Sequence, residues 1–340
     1  MSTASPAGAG AVLRAEPPAP RERRRRGPTA SELLFVVVLA AFLLRPVLAG
    51  LVDDPALQTW ATIFVSIAVQ ALPFLVLGVL VSGAITAFVP PSVFTRVLPR
   101  NPALAVPVAG SAGLLLPGCE CGSVPVAGGL VSRGVPPAAA FTFLLSAPAI
   151  NPVVLVATAV AFPGRPEVVL ARFVASLGVA VVMGLLWARF GSDRWLRIPH
   201  RPVVTEGSRW PSFVDTVRHD FLHAGGFLVL GGLLAATLNV LVPRGIYEAV
   251  ADNLVLAVLT LALLAVVLSI CSEADAFVAA SLPEFPMAAL LTFMVVGPMV
   301  DIKLVALQAG TFGRSFAVRF APTTLVVAVS GSVLVSWWLL

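Results

Sequence analysis

Cys119, Cys121 and Cys271 are the three cysteines of this chain, and each stands near a carboxylate inside a polar interruption of an apolar stretch. The first interruption reads Pro117-Gly118-Cys119-Glu120-Cys121-Gly122-Ser123 and the second Cys271-Ser272-Glu273-Ala274-Asp275. Thiolates are soft ligands that favour copper(I), zinc or trivalent arsenic over magnesium or calcium. Glu120, Glu273 and Asp275 add negative charge, which hydrocarbon tolerates only beside a partner or water. The pattern predicts a site that takes a soft metal ion or metalloid as transported substrate, with Cys119, Cys121 and Cys271 as its ligands. In a regular helix Cys119 and Cys121 would point about 200° apart, at about 100° per residue, so they share a ligand only where the chain is unwound. Pro117 and Pro125 cannot continue helical hydrogen bonding, and Gly118 and Gly122 tolerate unwound backbone. Taken alone, Cys271 also fits ordinary burial of a small apolar side chain. Three cysteines make no disulfide framework, so free thiols are expected.

The elements that must position these residues are membrane helices. Hydrophobic residues make up 58% of the 340 and charged residues 11%, against roughly 25% charged in soluble domains. The mean hydropathy is +0.97. At about 20 residues per crossing helix, the chain has room for about eight or nine segments at membrane depth. The expected fold class is all-α, a polytopic membrane protein embedded in the lipid bilayer.

Residues 1–30 are rich in Pro, Ala, Gly and Arg and close on Arg21-Glu22-Arg23-Arg24-Arg25-Arg26, which predicts a disordered basic tail. Directly before a hydrophobic run, such a cluster holds its end in the cytoplasm, and no nucleic acid partner is expected. Residues 31–52 are expected to be the first transmembrane helix. The run Leu33 to Leu44, followed by Arg45-Pro46, also fits a signal peptide, so cleavage stays open. Further apolar segments lie at about 57–89, 103–132, 136–162, 166–190, 221–242, 253–282, 286–310 and 316–340. Residues 191–218 form a basic linker, expected on the cytoplasmic side, in which Trp210, Phe213 and Val217 sit at helical spacing. They predict a helix lying in the interface, with a plain solvated loop as the alternative.

The chain repeats itself. Phe74-Leu75-Val76-Leu77-Gly78 recurs 153 residues later as Phe227-Leu228-Val229-Leu230-Gly231, and Val89-Pro90 recurs at the same offset as Val242-Pro243. Further on, Cys121 matches Cys271, Pro148 matches Pro298 and Asn151 falls on Asp301, all at an offset of 150. Colinear matches that include Pro, Cys and aromatic residues predict a duplication, with repeats at 53–190 and 219–340. If all four apolar segments of a repeat crossed, the halves would be parallel and the Arg-rich stretch 189–218 would face outward, against the positive-inside rule. If 103–132 and 253–282 enter and leave on one side as re-entrant or broken segments, three crossings remain and the second half is inverted. Arg96, Arg100, Lys303 and Arg314 then lie inside, and Asp53, Asp54, Glu248, Asp252 and Glu284 outside. Inverted repeats place such broken segments at the bilayer midplane, where freed carbonyls and half-helix ends meet the substrate.

Asn151 and Asp301 each follow a proline by three residues and are expected to line the cavity or to cap a broken helix. Lys303 is expected to snorkel to the interface, the alternative being a buried pair with Asp301. Arg172 and Arg319 read as interface anchors. His219 and His223, one turn apart, could chelate a metal but have no third fixed ligand, and an interfacial position is the stronger reading.

The segments Leu116 to Val126, Ser146 to Val154, Cys271 to Phe277 and Gly297 to Lys303 resemble the signatures of the predicted permease family that contains the organoarsenical efflux permease ArsP and the YraQ-type permeases. The resemblance spans about residues 55–340 and leaves the tail outside. It implies a multi-pass permease of the bacterial inner membrane, and known members move trivalent organoarsenicals, zinc or copper outward through paired cysteines. Substrate identity stays open. No Walker loop, dinucleotide fingerprint or Gly-x-Ser-x-Gly elbow occurs, so no cofactor and no enzyme activity are expected. Two other readings stay open: an intramembrane thiol oxidoreductase, and a passive channel or subunit of a larger complex. A homo-oligomer and an accessory protein both remain candidate partners.

Overall fold

The computed structural model describes residues 55–90, 93, 99, 101–115, 119–197, 209–241 and 253–340. The tail 1–30, the expected helix 31–52, Pro117, Gly118, Arg96, Arg100 and the acidic residues Asp53, Asp54, Glu248 and Asp252 lie outside them. The described residues form twelve α-helices and no strand. These are α1 (Pro55–Phe88), α2 (Pro102–Ser111, extended by a 3₁₀ turn Ala112–Leu115), α3 (Glu120–Ser132), α4 (Pro137–Ile150), α5 (Pro152–Ala161) and α6 (Pro166–Phe190). After the linker follow α7 (Arg209–Leu241), α8 (Leu254–Leu268), α9 (Asp275–Ala280), α10 (Met287–Val296), α11 (Ile302–Phe312) and α12 (Arg314–Leu339). Five helical stretches are long and apolar enough to cross a membrane: 55–88, 137–161, 166–190, 210–238 and 314–339. The chain is an all-α polytopic membrane protein.

The order of elements repeats: long helix, interrupted pair, interrupted pair, long helix. α1 to α6 correspond one by one to α7 to α12, as the sequence offsets require. Proline opens α4, α5 and α6, where its missing N–H is one that the first turn leaves unpaired anyway. Equivalent helices run antiparallel. Trp60 donates to Thr237 at 3.0 Å, Leu75 faces Gly225, and Gly83 faces Phe213 and Val217, so α1 and α7 pass in opposite directions. Likewise Val179 meets Gly331 while Trp187 meets Phe316 and Phe320, which makes α6 and α12 antiparallel. Pairing of equivalent helices in opposite directions inverts one half relative to the other.

Two features depart from the sequence reading. The segment with Trp210, Phe213 and Val217 is no separate interfacial helix but the first turns of α7, which runs unbroken from Arg209. Trp210 stacks on Phe213 and both reach Phe88 at the end of α1, so the amphipathic turns cover a neighbouring helix. The second is that the apolar stretches 136–162 and 286–310, read as single segments, are each interrupted, at Asn151 and at 297–301, where the expected caps of broken helices stand.

Two repeat-related glycines set the close packing. A Cβ on Gly78 of α1 would collide with the Gly122 backbone of α3, and a Cβ on Gly231 of α7 would stand 2.6 Å from Lys303 Cα of α11. Small residues allow this backbone approach, the usual basis of helix association in lipid. Gly231→Ala is therefore expected to lower stability by about 1–3 kcal/mol through overpacking. Gly226→Ala on the same helix, with nothing within 4 Å of its Cβ, is the neutral control. Thermal unfolding of the detergent-solubilised protein measures both.

Candidate thiol and carboxylate site

Cys119 is the residue before α3, with extended backbone (φ −83°, ψ 178°), and α3 begins at Glu120. This unwinding at Cys119 removes the opposed directions a continuous helix would impose. The Cys119 thiol is in side-chain contact with those of both Cys121 and Cys271. All three are unbridged and buried. The two sulfurs of Cys119 and Cys271 and a carboxylate oxygen of Glu120 lie within 4.8 Å of one another, a spacing that could hold a metal ion. Cys119 and Glu120 belong to one half and Cys271 to the other, so both halves build the cluster.

Cys271 sits in the break between α8 and α9. Ser269 ends α8 in the left-handed conformation (φ 49°, ψ 42°), uncommon for a residue with a side chain. Its hydroxyl donates to the Val266 carbonyl at 3.1 Å and accepts from Ile302 N at 3.2 Å. Its carbonyl accepts from Lys303 Nζ at 2.8 Å. Beyond Cys271, the N–H groups of Ala274 and Asp275 return to the Cys271 carbonyl at 2.9 and 3.2 Å and wind the chain into α9.

Lys303 corrects the sequence reading. Its side chain is 1% exposed and does not snorkel: Nζ lies 2.6 Å from Glu120 Oε1 and 3.5 Å from Asp301 Oδ2. The interface-anchor reading of Arg172 is overturned in the same way. Arg172 is fully buried and donates to Asp275 Oδ2 at 2.7 Å, to Thr158 Oγ1 at 2.8 Å and to the Ser272 carbonyl at 3.1 Å. Arg319 is exposed and lies over the Trp195 ring, as an anchor should. His219 and His223 stack on one exposed face of α7.

Of the residues proposed from sequence, Cys119, Glu120, Cys121 and Cys271 come together, and Asp301 adjoins them through Lys303. Asp275 is buried against Arg172, and Glu273 is half-buried in the turn between them. Asn151 and Asp301 are buried helix caps. Asn151 Oδ1 accepts from Val154 N at 3.0 Å and Asp301 Oδ1 from Leu304 N at 2.6 Å, the same bond in both halves. Sequence reasoning held the buried Lys303–Asp301 pair only as the alternative to snorkelling, and missed Arg172 as a site neighbour. Their signal was present: each is a cation inside an apolar stretch, and in a membrane protein such a residue needs an internal partner.

Inverted helical repeats with broken helices are a build that many membrane transporters share. The chain belongs to the ArsP_1 predicted permease family, whose model matches residues 56–337. It is 36% identical over 281 residues to the UPF0718 protein YcgR of Bacillus subtilis (strain 168), covering 81% of this chain and 96% of that one. It is also 32% identical over 275 residues to a Streptococcus mutans serotype c (strain ATCC 700610 / UA159) protein named "Putative two-component membrane permease complex subunit", covering 78% and 91%. No solved structure matches the chain.

Proposed function

We propose that this permease moves a soft metal ion or a trivalent (organo)arsenical out of the cell through the cluster of Cys119, Glu120, Cys121 and Cys271, with Asp301, Asn151, Glu273 and Asp275 around it. The observation that carries the reading is the meeting of thiols from both halves with a buried carboxylate, all donor atoms within 4.8 Å. Sulfur donors select thiophilic cargo, and a site shared between inverted halves is where rocking of one half against the other would expose cargo to alternate sides. In this arrangement the cysteines are buried, which suits an occluded step of such a cycle.

The orientation that fits the charge pattern puts the N-terminus and the basic linker in the cytoplasm of a bacterial inner membrane, with 102–132 and 254–280 as the re-entrant segments. Helix directions support this. α1 ends beside the start of α7, which follows the linker from α6. With one further crossing between α1 and α6, both long helices of the first half run toward the linker side. The relative named as a complex subunit supports an accessory partner, which would supply energy that this chain has no nucleotide motif to supply.

Transport by inverted membrane vesicles tests the reading. Vesicles that contain the protein are expected to accumulate at least one of zinc, copper(I), arsenite and methylarsenite. Vesicles without it should accumulate none above leak. Equal flux of all four with and without the protein would sink the proposal, and flux that only ever runs down the cargo's own concentration gradient would favour a channel.

A further inference from the structure

Lys303 holds two carboxylates unequally. Its ammonium, which has three donors, approaches Glu120 Oε1 at 2.6 Å and the Ser269 carbonyl at 2.8 Å but stands 3.5 Å from Asp301 Oδ2. Asp301 Oδ1 is committed to the α11 cap. Asp301 Oδ2 has no hydrogen-bond partner among the described residues, although Asp301 is fully buried. The cap itself does not need that second oxygen: in the other half Asn151 makes the same bond with an amide. A buried carboxylate oxygen held only by a long ion pair is costly, so a charged group here does something that capping does not require.

We infer that Lys303 is the counter-ion of the cargo-free site, and that it passes from Glu120 to Asp301 when cargo takes the Glu120 carboxylate. The inference rests on the thiol cluster being the cargo site. Neither Glu120 carboxylate oxygen has a hydrogen-bond partner among the described residues, Oε1 being approached by Lys303 as an ion pair, and a Glu120 carboxylate oxygen lies within 4.8 Å of both the Cys119 and Cys271 sulfurs. A cation arriving at those sulfurs competes with the ammonium for Glu120 and repels it. Asp301 Oδ2, fixed by its own cap, then needs an approach of less than about 1 Å to reach ordinary hydrogen-bond distance. Lys303 thus keeps Glu120 ion-paired without cargo, and Asp301 sets the affinity for any cargo that uses a carboxylate as well as thiols. Asp301 is a positioning residue acting through Lys303 on Glu120.

The test is Asp301→Asn in the full-length, detergent-solubilised protein, because asparagine can keep the cap. Protection of the three cysteines from alkylation is titrated with two probes, zinc chloride and phenylarsine oxide, and read by mass spectrometry. Zinc is expected to use Glu120, whereas the arsenical needs sulfur alone. Asp301→Asn is expected to weaken zinc protection by about tenfold or more and arsenical protection by less than about threefold. Should the asparagine variant not fold, Asp301→Ser, which also caps, is expected to give the same split. Unchanged zinc protection overturns the transfer, as does equal weakening of both probes. If the arsenical protects the native chain and zinc does not, the transfer is overturned and the thiol reading stands. If neither protects it, the thiol reading falls and the transfer with it.

Discussion

Cys119→Ser is expected to reduce protection of the remaining thiols by phenylarsine oxide, and transport of the cargo, by more than about 100-fold. Cys119 is the common member of the cluster. Its thiol reaches Cys121 in its own half and Cys271 in the other, and its sulfur belongs to the donor set with Glu120 and Cys271. Serine keeps the shape of the side chain in a slightly smaller and more polar form but loses the soft, polarisable donor, so the affinity should fall well before the fold does. Cys271→Ser is expected to be nearly as severe, because it removes the second half's sulfur. Cys121→Ser should cost less, about tenfold, because the compact donor set forms without its sulfur. The rank order separates this site from a plain Cys119-Glu120-Cys121 chelate, which would make Cys121 indispensable and Cys271 dispensable. Native transport by both Cys119→Ser and Cys271→Ser would end the ligand reading. Thermal unfolding of each variant shows whether the loss is one of binding or of folding.

The repeat was legible because duplication leaves colinear marks, and the one-to-one match of α1 to α6 with α7 to α12 follows the offsets read from the chain. The break at Cys119 was legible, but the expected unwinding on its far side does not occur: Cys121, Gly122 and Pro125 all lie inside α3. Asn151 and Asp301 could be paired in advance from the repeat offset. What the chain did not display was which buried charges would meet. Arg172 and Asp275 are 103 positions apart, in different halves, and no local pattern connects them. Lys303 lies two residues past a helix cap, close enough to a chain break to look like an interface residue. Its partners Glu120, Asp301 and the Ser269 carbonyl, with the close approach of Gly231 to its backbone, hold it in the interior. The amphipathic turns at 210–217 misled because two turns of periodicity look alike whether a helix stops or runs on into an apolar span.

Arg172→Met is expected to cost about 3–5 kcal/mol of stability. Arg172 is 0% exposed on α6 of the first half and binds the start of α9 in the second, through Asp275 and the Ser272 carbonyl, while Thr158 of α5 completes its partners. Removing the guanidinium leaves the Asp275 carboxyl buried without its partner, and strands two further acceptors. Arg172→Lys keeps the charge but cannot span three acceptors as a planar fork does, so it should recover only part of the loss. The double change Arg172→Met/Asp275→Asn should be more stable than Arg172→Met alone, because the uncompensated charge is gone, with a coupling of about 0.5–3 kcal/mol. Thermal or urea unfolding in detergent measures all three variants. A single-variant loss below about 1 kcal/mol would put the pair in the class of exposed salt bridges and remove it as a tie between the halves. Because Ser272 adjoins Cys271, the loss also predicts a chemical readout. With Arg172 gone, the turn 271–275 loses its tie to the first half through the Ser272 carbonyl and Asp275, and Cys271 should be alkylated faster than Cys119 in the cargo-free protein. Unchanged relative alkylation, with the full loss of stability, would mean that Arg172 ties the halves together without governing access to the thiols.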